Sequence, residues 1–216
     1  MKKTNTWKSG SLIPKELKEA ASAIGAEVRA GGVALEVTLH KDLKRMLNAY
    51  PGWDIIDGKQ INKHPEILKQ VGKPKGNETV IPDIDTVLIN PIGKVVLVIS
   101  SKGSIQDDKV YSSMWHHNYF KEKGIGFWVV TKDTKSTFKT GDTKYLAFIP
   151  PTMKIFINNE DTYNEAVNHN FEDWNFNHVV RPYFEIFVHF TEIINNYNNS
   201  KNKLFFTFEQ KNCKNN

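Results

Sequence analysis

Cysteine is nearly absent: Cys213 is the only one in 216 residues. A single thiol closes no internal disulfide and builds no multi-cysteine zinc site, so disulfide scaffolds and zinc fingers are excluded and a reducing compartment is expected. Arginine is scarce as well. Arg29, Arg45 and Arg181 are the full set, and lysine carries the rest of the positive charge. No apolar run approaches the roughly 20 residues that a membrane span needs. The basic start, Met1 to Lys8, is not followed by the apolar stretch of a secretory signal. No membrane association is therefore expected. Neither a Walker phosphate loop nor a Gly-x-Gly-x-x-Gly fingerprint occurs, and Gly-x-Ser-x-Gly is missing too. These absences remove support for P-loop, dinucleotide-binding and elbow-serine chemistries.

What remains is enough to fold. Hydrophobic residues make up 39% and aromatics 12% of the chain, which excludes disorder throughout. The length suits one domain. Lys plus Arg number 29 against 24 Asp plus Glu, a net charge of +5 that is compatible with a polyanionic partner but too small to identify one.

Residues 1–77 read as mainly helical. Pro14 suits a first helical turn ahead of Lys15–Ile24. After Gly31-Gly32, Leu35, Leu39, Leu43, Met46, Leu47 and Tyr50 recur at spacings of three and four, an apolar helix face ended by Pro51-Gly52. Trp53 to Asn77 reads as irregular. Residues 78–160 change character and form the expected sheet core. Ile84–Ile89 and Lys94–Ile99 are β-rich runs joined by Pro91-Ile92-Gly93, an antiparallel hairpin. A helix is expected from about Gln106 to Lys123, then a buried strand at Gly126–Thr131. Further strands are expected at Tyr145–Ile149 and Lys154–Ile157. Residues 161–216 read as a helical part with a frayed tail. Its stripe of Tyr183, Ile186, Phe187, Phe190, Ile193, Ile194 and Tyr197 follows Pro182, which suits a first turn, and Leu204–Phe208 reads as an edge strand or packing arm. The β-β-α-β order predicts an α/β (α+β) domain with a central mixed sheet and a crossover helix.

The chemistry-bearing stretch runs from Ile81-Pro82-Asp83-Ile84-Asp85 to Val98-Ile99-Ser100-Ser101-Lys102. An acid opens one hairpin strand and a lysine closes its partner, 19 positions on. A hairpin brings two such positions together at one end of the sheet. Strand side chains alternate, so Asp83 and Asp85 share a face, as do Ser100 and Lys102. Phosphodiester hydrolysis asks for this combination. A hard cation such as Mg²⁺ takes one or two carboxylates and completes its shell with water and phosphate. A nearby ammonium stabilises the developing charge or assists the attacking water.

At these residues the chain resembles the PD-(D/E)xK nucleases, and type II restriction endonucleases in particular. Pro82-Asp83 matches the "PD" half, and Ser100-Ser101-Lys102 stands where the family has acid-any-Lys after an apolar strand. The resemblance covers roughly residues 80–131. It implies a restriction-endonuclease-like core, Mg²⁺-dependent hydrolysis of double-stranded DNA at a short site, a homodimer, and a cytoplasmic prokaryotic setting. Two copies follow because one chain carries one site and a symmetric duplex needs two cuts. By the same resemblance Asp83 and Lys102 are catalytic, with Ser100 in the place of the second acid. Glu36, on an N-terminal helix, or Asp85 would supply the missing carboxylate, with Asp107, Asp108 and Glu122 further options. The Ser101 backbone carbonyl would be a further metal ligand. Other nucleases of the same type, or a non-catalytic DNA-binding module, are the alternatives.

DNA contacts are expected from the turn after the site, at Ser104 and Lys109, and from the basic loop carrying Lys132, Lys135, Lys139 and Lys144. His116-His117 suggests a metal pair at first sight. Adjacent helical residues point about 100° apart, so packing of an aromatic-rich helix is the expected role.

Overall fold

The computed structural model describes residues 33–75, 78–105, 107–133, 149–170 and 174–212. The helix expected near Pro14 and the residues Lys135, Lys139 and Lys144 lie outside that set. Of the strand expected at Tyr145–Ile149, only Ile149 is described, buried in a bend.

A six-stranded mixed sheet forms the centre, in the order β1 (Asp54–Asp57), β4 (Thr86–Ile89), β5 (Val95–Lys102), β6 (Gly126–Thr131), β7 (Lys154–Ile157), β8 (Val180–Pro182). The hairpin strands are β4 (Thr86–Ile89) and β5 (Val95–Lys102), antiparallel with Thr86 opposite Ile99. Asn90 shapes their turn, its Oδ1 accepting from the N–H groups of Ile92 and Lys94. From β5 the chain crosses through α3 (Asp107–Glu122) to β6 (Gly126–Thr131), which pairs parallel with β5. Next come β7 (Lys154–Ile157) and β8 (Val180–Pro182), also parallel, with α4 (Glu160–Asn170) and α5 (Trp174–Val179) between them. The expected hairpin, crossover helix and buried strand are all present.

Helices cover both faces, which explains why β5 and β6 are apolar almost without interruption. On one face α1 (33–47) contributes Leu35, Leu39, Leu43 and Leu47, and α6 (Glu185–Asn212) contributes Ile186, Phe190 and Ile194. They pack on Leu88, Leu97, Ile99, Trp128, Val130 and Phe156. On the other face α2 (Pro65–Val71), α3, α4 and α5 meet Val87, Val98, Phe127, Val129 and Ile155. Neighbouring residues such as Val98 and Ile99 fall in opposite clusters, as the strand period of two requires.

Three segments differ from expectation. The segment expected to be irregular from Trp53 to Asn77 is regular over its described residues, 53–75: it holds edge strand β1 (Asp54–Asp57), a 3₁₀ helix (Gly58–Lys63), α2 and β2 (Lys73–Lys75), which pairs with β3 (Glu78–Val80). Four residues reading Asp-Ile-Ile-Asp have no alternation, so β1 declares itself only through its partner β4. Pro182 ends β8 instead of opening a helix, tolerated because β8 is an edge strand. Leu204–Phe208 is helical and belongs to α6, since Asn195–Ser200 contains no Pro or Gly to stop the helix.

His117 is buried on α3, its Nε2 in a 3.0 Å hydrogen bond with Thr152 Oγ1. Burial, with Lys121 nearby, holds its imidazole below the ordinary pKa. The unfolded chain then binds a proton that the fold refuses. This stability is fully present above the ordinary value, about 6.5, and is lost as pH falls through it toward the folded value. The melting temperature should therefore drop between pH 7 and pH 5, and His117→Gln should flatten that drop. An unchanged slope in the variant would refute the burial argument.

Candidate active site

Strand direction brings the chemistry to one edge of the sheet. The parallel strands β5, β6, β7 and β8 all end there, at Lys102, Thr131, Ile157 and Pro182. β4 runs the other way and therefore begins there, immediately after Asp83 and Asp85. Antiparallel β1 ends there at Asp57, followed by Lys59. Carboxyl ends of strands are where open α/β sheets commonly bind ligands.

Lys102 Nζ donates to Asp83 Oδ2, so the hairpin does bring the two motif residues into contact. The partners differ sharply in exposure. The Lys102 side chain is 10% exposed and that of Asp83 is 59%. Lysine buries its stem and lifts its head to the solvent boundary, where the acid meets it.

Asp85 extends the ladder toward the same edge, its N–H donating to Ile99 O (3.0 Å). Its Oδ2 accepts from Ser101 N–H at 2.5 Å and more weakly from Ser100 Oγ at 3.4 Å. Ser100, in the place of the motif's second acid, thus faces the carboxylate of Asp85. Burial raises the Asp85 pKa, while the Ser101 hydrogen bond and Lys102 pull it down; Glu36 and Asp83 add to the rise. Four charged groups therefore sense one another at this edge.

Glu36 comes from α1. Its Oε2 accepts from Lys59 Nζ at 2.7 Å, an ion pair that raises the lysine pKa. Glu36, Asp57, Lys59 and Asp85 line a groove of about 250 Å³, together with His40 and Lys41. Both acids named as substitutes for the missing carboxylate thus border one space. Gly58 holds this corner. Its N–H donates to Asp85 O at 2.8 Å, and a Cβ there would lie 1.9 Å from Ile84 O.

Two contributors escaped the sequence reading. Lys59 sits on a 3₁₀ turn, and nothing local marks it as facing Glu36. His116 packs against Phe127, with ring centroids 5.8 Å apart, and feels the charges of Asp83 and Lys102 while burial lowers its pKa. The expected packing role of α3 stands, and the helix also brings His116 near the Asp83–Lys102 pair. Of the expected DNA contacts, Ser104 is buried, Lys109 is exposed on the first turn of α3, and Lys132 donates its N–H to Lys102 O at 3.3 Å.

Among the described residues, no three His, Cys, Asp or Glu side chains group as a metal cluster. Mg²⁺ does not require one, since it takes one or two carboxylates with water and phosphate. Asp85 is a half-buried acid with hard oxygen donors, and Glu36 borders the same groove. That donor set fits Mg²⁺. Among the described residues no helix is long and apolar enough to cross a membrane.

No known protein family, curated protein or solved structure matches this chain. The site and the mixed α/β sheet stand on their own residues.

Proposed function

We propose that this chain is an Mg²⁺-dependent DNA endonuclease with a restriction-endonuclease-like core, acting as a homodimer on a short duplex site. The observation that supports it best is the Lys102–Asp83 pair, set beside the half-buried carboxylate of Asp85 at the open sheet edge. An acid, a second acid and an ammonium at the end of a hairpin are the parts that phosphodiester hydrolysis uses.

In this reading Asp85, Asp83 and Glu36 are the carboxylates that would hold Mg²⁺, which when bound supplies charge neutralisation and an activated water. Ser101 N–H fixes the Asp85 carboxylate, which restricts its rotation toward the groove. Ser100 Oγ supports the same oxygen, so serine orients an acid where the family pattern has one. Lys102, drawn off Asp83 by an arriving phosphate, would stabilise the charge that builds on the phosphoryl oxygens. His116 lies on α3 close enough to the pair to feel both of its charges.

The carboxylates can be tested singly. Glu36→Gln should raise the Mg²⁺ concentration for half-maximal cleavage by about tenfold, the lower end of the range for loss of a supporting ligand. Asp85→Asn should have the larger effect, because the Asp85 carboxylate feels the charge of Lys102 and is held by Ser101 N–H, while that of Glu36 is already taken up by Lys59. An unchanged Mg²⁺ requirement in Glu36→Gln removes Glu36 from the ligand set.

Incubation of the protein with long bacteriophage DNA, with Mg²⁺ and with EDTA, tests the function itself. Discrete fragments that require Mg²⁺ are expected. Cutting confined to branched or damaged DNA would favour a resolvase or repair nuclease, and binding without cutting a non-catalytic module.

A further inference from the structure

The same sheet edge carries a second, larger cavity at its other end. It measures about 510 Å³ and lies where β7 and β8 stop and α4 and α6 begin. Its lining includes Asn158, Glu160, Tyr163, Asn164, Phe184 and Glu185. Nothing in the cleavage reading uses these residues.

Their chemistry selects among ligands. Two helix N-termini converge here and would on their own favour an anion. Glu160 and Glu185 occupy those first turns; Glu185 Oε2 lies 3.7 Å from Arg181 Nε and 3.8 Å from His189 Nε2, which leaves Glu160 as the acid that opposes a phosphate. Carboxylates instead accept from N–H groups, and the side-chain amides of Asn158 and Asn164 both donate and accept. Tyr163 and Phe184 supply flat aromatic faces. Phe184 is 67% exposed and lines the cavity, so its ring is open to a ligand arriving from solvent. A flat ligand with an edge of N–H donors and acceptors meets all of these conditions, and a nucleobase is such a ligand. The volume lies within the range of small-ligand pockets, about 300–1,000 Å³.

Position adds a distance argument. Neighbouring strands lie about 4.8 Å apart, so β7 and β8 stand roughly 10–14 Å from β5 and Lys102. Duplex DNA rises about 3.4 Å per nucleotide along one strand, which places the cavity about three to four nucleotides from a phosphate at Lys102. A stacked, paired base cannot offer its face to two aromatic rings, so the base must leave the helix.

We propose that this cavity receives one nucleobase extruded from DNA whose backbone lies against the Asp83–Lys102 edge. The proposal rests on the nucleic-acid half of the nuclease reading. It assigns Phe184 and Tyr163 to stacking and the Asn158, Asn164 and Glu160 side chains to the hydrogen-bonding edge of the base.

The test uses the full chain with Ca²⁺ in place of Mg²⁺, and a 20-base-pair duplex carrying 2-aminopurine in a mismatch. A second duplex, fully paired, and free 2-aminopurine riboside are the controls. Wild type should raise the 2-aminopurine emission and bind the mismatched duplex about tenfold more tightly than the paired one. Phe184→Ala, a truncation at an exposed position, should lose both effects while its affinity for the paired duplex stays within twofold. Lys102→Ala should keep the emission rise. A chain that never cuts DNA yet shows the Phe184-dependent rise sustains this proposal and defeats the nuclease reading. A chain that cuts DNA without any rise, or with the same rise in Phe184→Ala, overturns the proposal and leaves the nuclease reading intact. A Phe184-dependent signal from the free riboside alone would also overturn it, assigning the cavity to a free nucleoside.

Discussion

Lys102→Ala is expected to lower the rate of DNA cleavage by about 10²–10⁴-fold, the range for loss of a charge-stabilising or proton-transferring group. The fold should survive, because the partner it leaves behind, Asp83, is 59% exposed and water can replace the ammonium. The reciprocal change is not symmetrical. Asp83→Ala should abolish cleavage too, but it strands an ammonium whose side chain is only 10% exposed. Leaving such a donor unsatisfied costs about 1–3 kcal/mol. Lys102→Ala should thus melt close to wild type and Asp83→Ala measurably lower, while both retain DNA binding through the remaining lysines. Thermal melts beside single-turnover cleavage separate the two effects. Wild-type cleavage by either variant would dissolve the assignment.

Gly58→Ala should produce the largest effect away from the charged groups. The glycine backbone lies so close to the β4 entry that an added Cβ would sit 1.9 Å from Ile84 O and 2.7 Å from Ile84 C. Those atoms are backbone, so no rotamer change relieves the overlap. The Gly58 N–H to Asp85 O hydrogen bond, 2.8 Å long, must stretch as the two segments separate. Overpacking of this kind costs about 1–3 kcal/mol, sometimes more. Asp85 moves with the segment, so its carboxylate leaves the Ser101 N–H. Gly58→Ala should therefore lose about 2 kcal/mol or more of stability and most of its cleavage activity. The same substitution at Gly93, where a Cβ meets nothing within 4 Å, should leave cleavage intact, although its φ of +77° still imposes strain. Equal activity in the Gly58 and Gly93 variants would contradict the close-approach argument.

The parts of this architecture that sequence periodicity revealed are those whose own residues carry a strong pattern. The leucines of α1 repeat at helical spacing over four turns, and β5 and β6 are buried on both faces and read as apolar runs. The pairing of Asp83 with Lys102 was legible because the turn at Pro91–Gly93 fixes the hairpin and hence the meeting of its ends. Elements with weak internal pattern were not. β1 and β8 are four and three residues long and owe their strand form to β4 and β7. Lys59 meets Glu36 across 23 positions, and His116 nears the Asp83–Lys102 pair only because α3 folds back on the sheet. Contacts between distant elements of that kind depend on tertiary packing, which no local pattern encodes.

The choice of acid shows the same division. In the nuclease reading Ser100 stands where the resemblance puts a carboxylate, and the sequence offered Glu36 as its substitute with Asp85 as the local alternative. Folding brings both to one groove, while only Asp85 receives the Ser100 and Ser101 hydrogen bonds. The serine thus acts on the acid rather than replacing it.

The most direct test of the central claim is the conversion of supercoiled plasmid by wild-type protein and by Lys102→Ala, each with Mg²⁺ and with EDTA. The account predicts nicked and linear DNA with wild type and Mg²⁺, and intact supercoils in the other three reactions. Undiminished cutting by Lys102→Ala, or intact plasmid with wild type at every Mg²⁺ concentration, would contradict it.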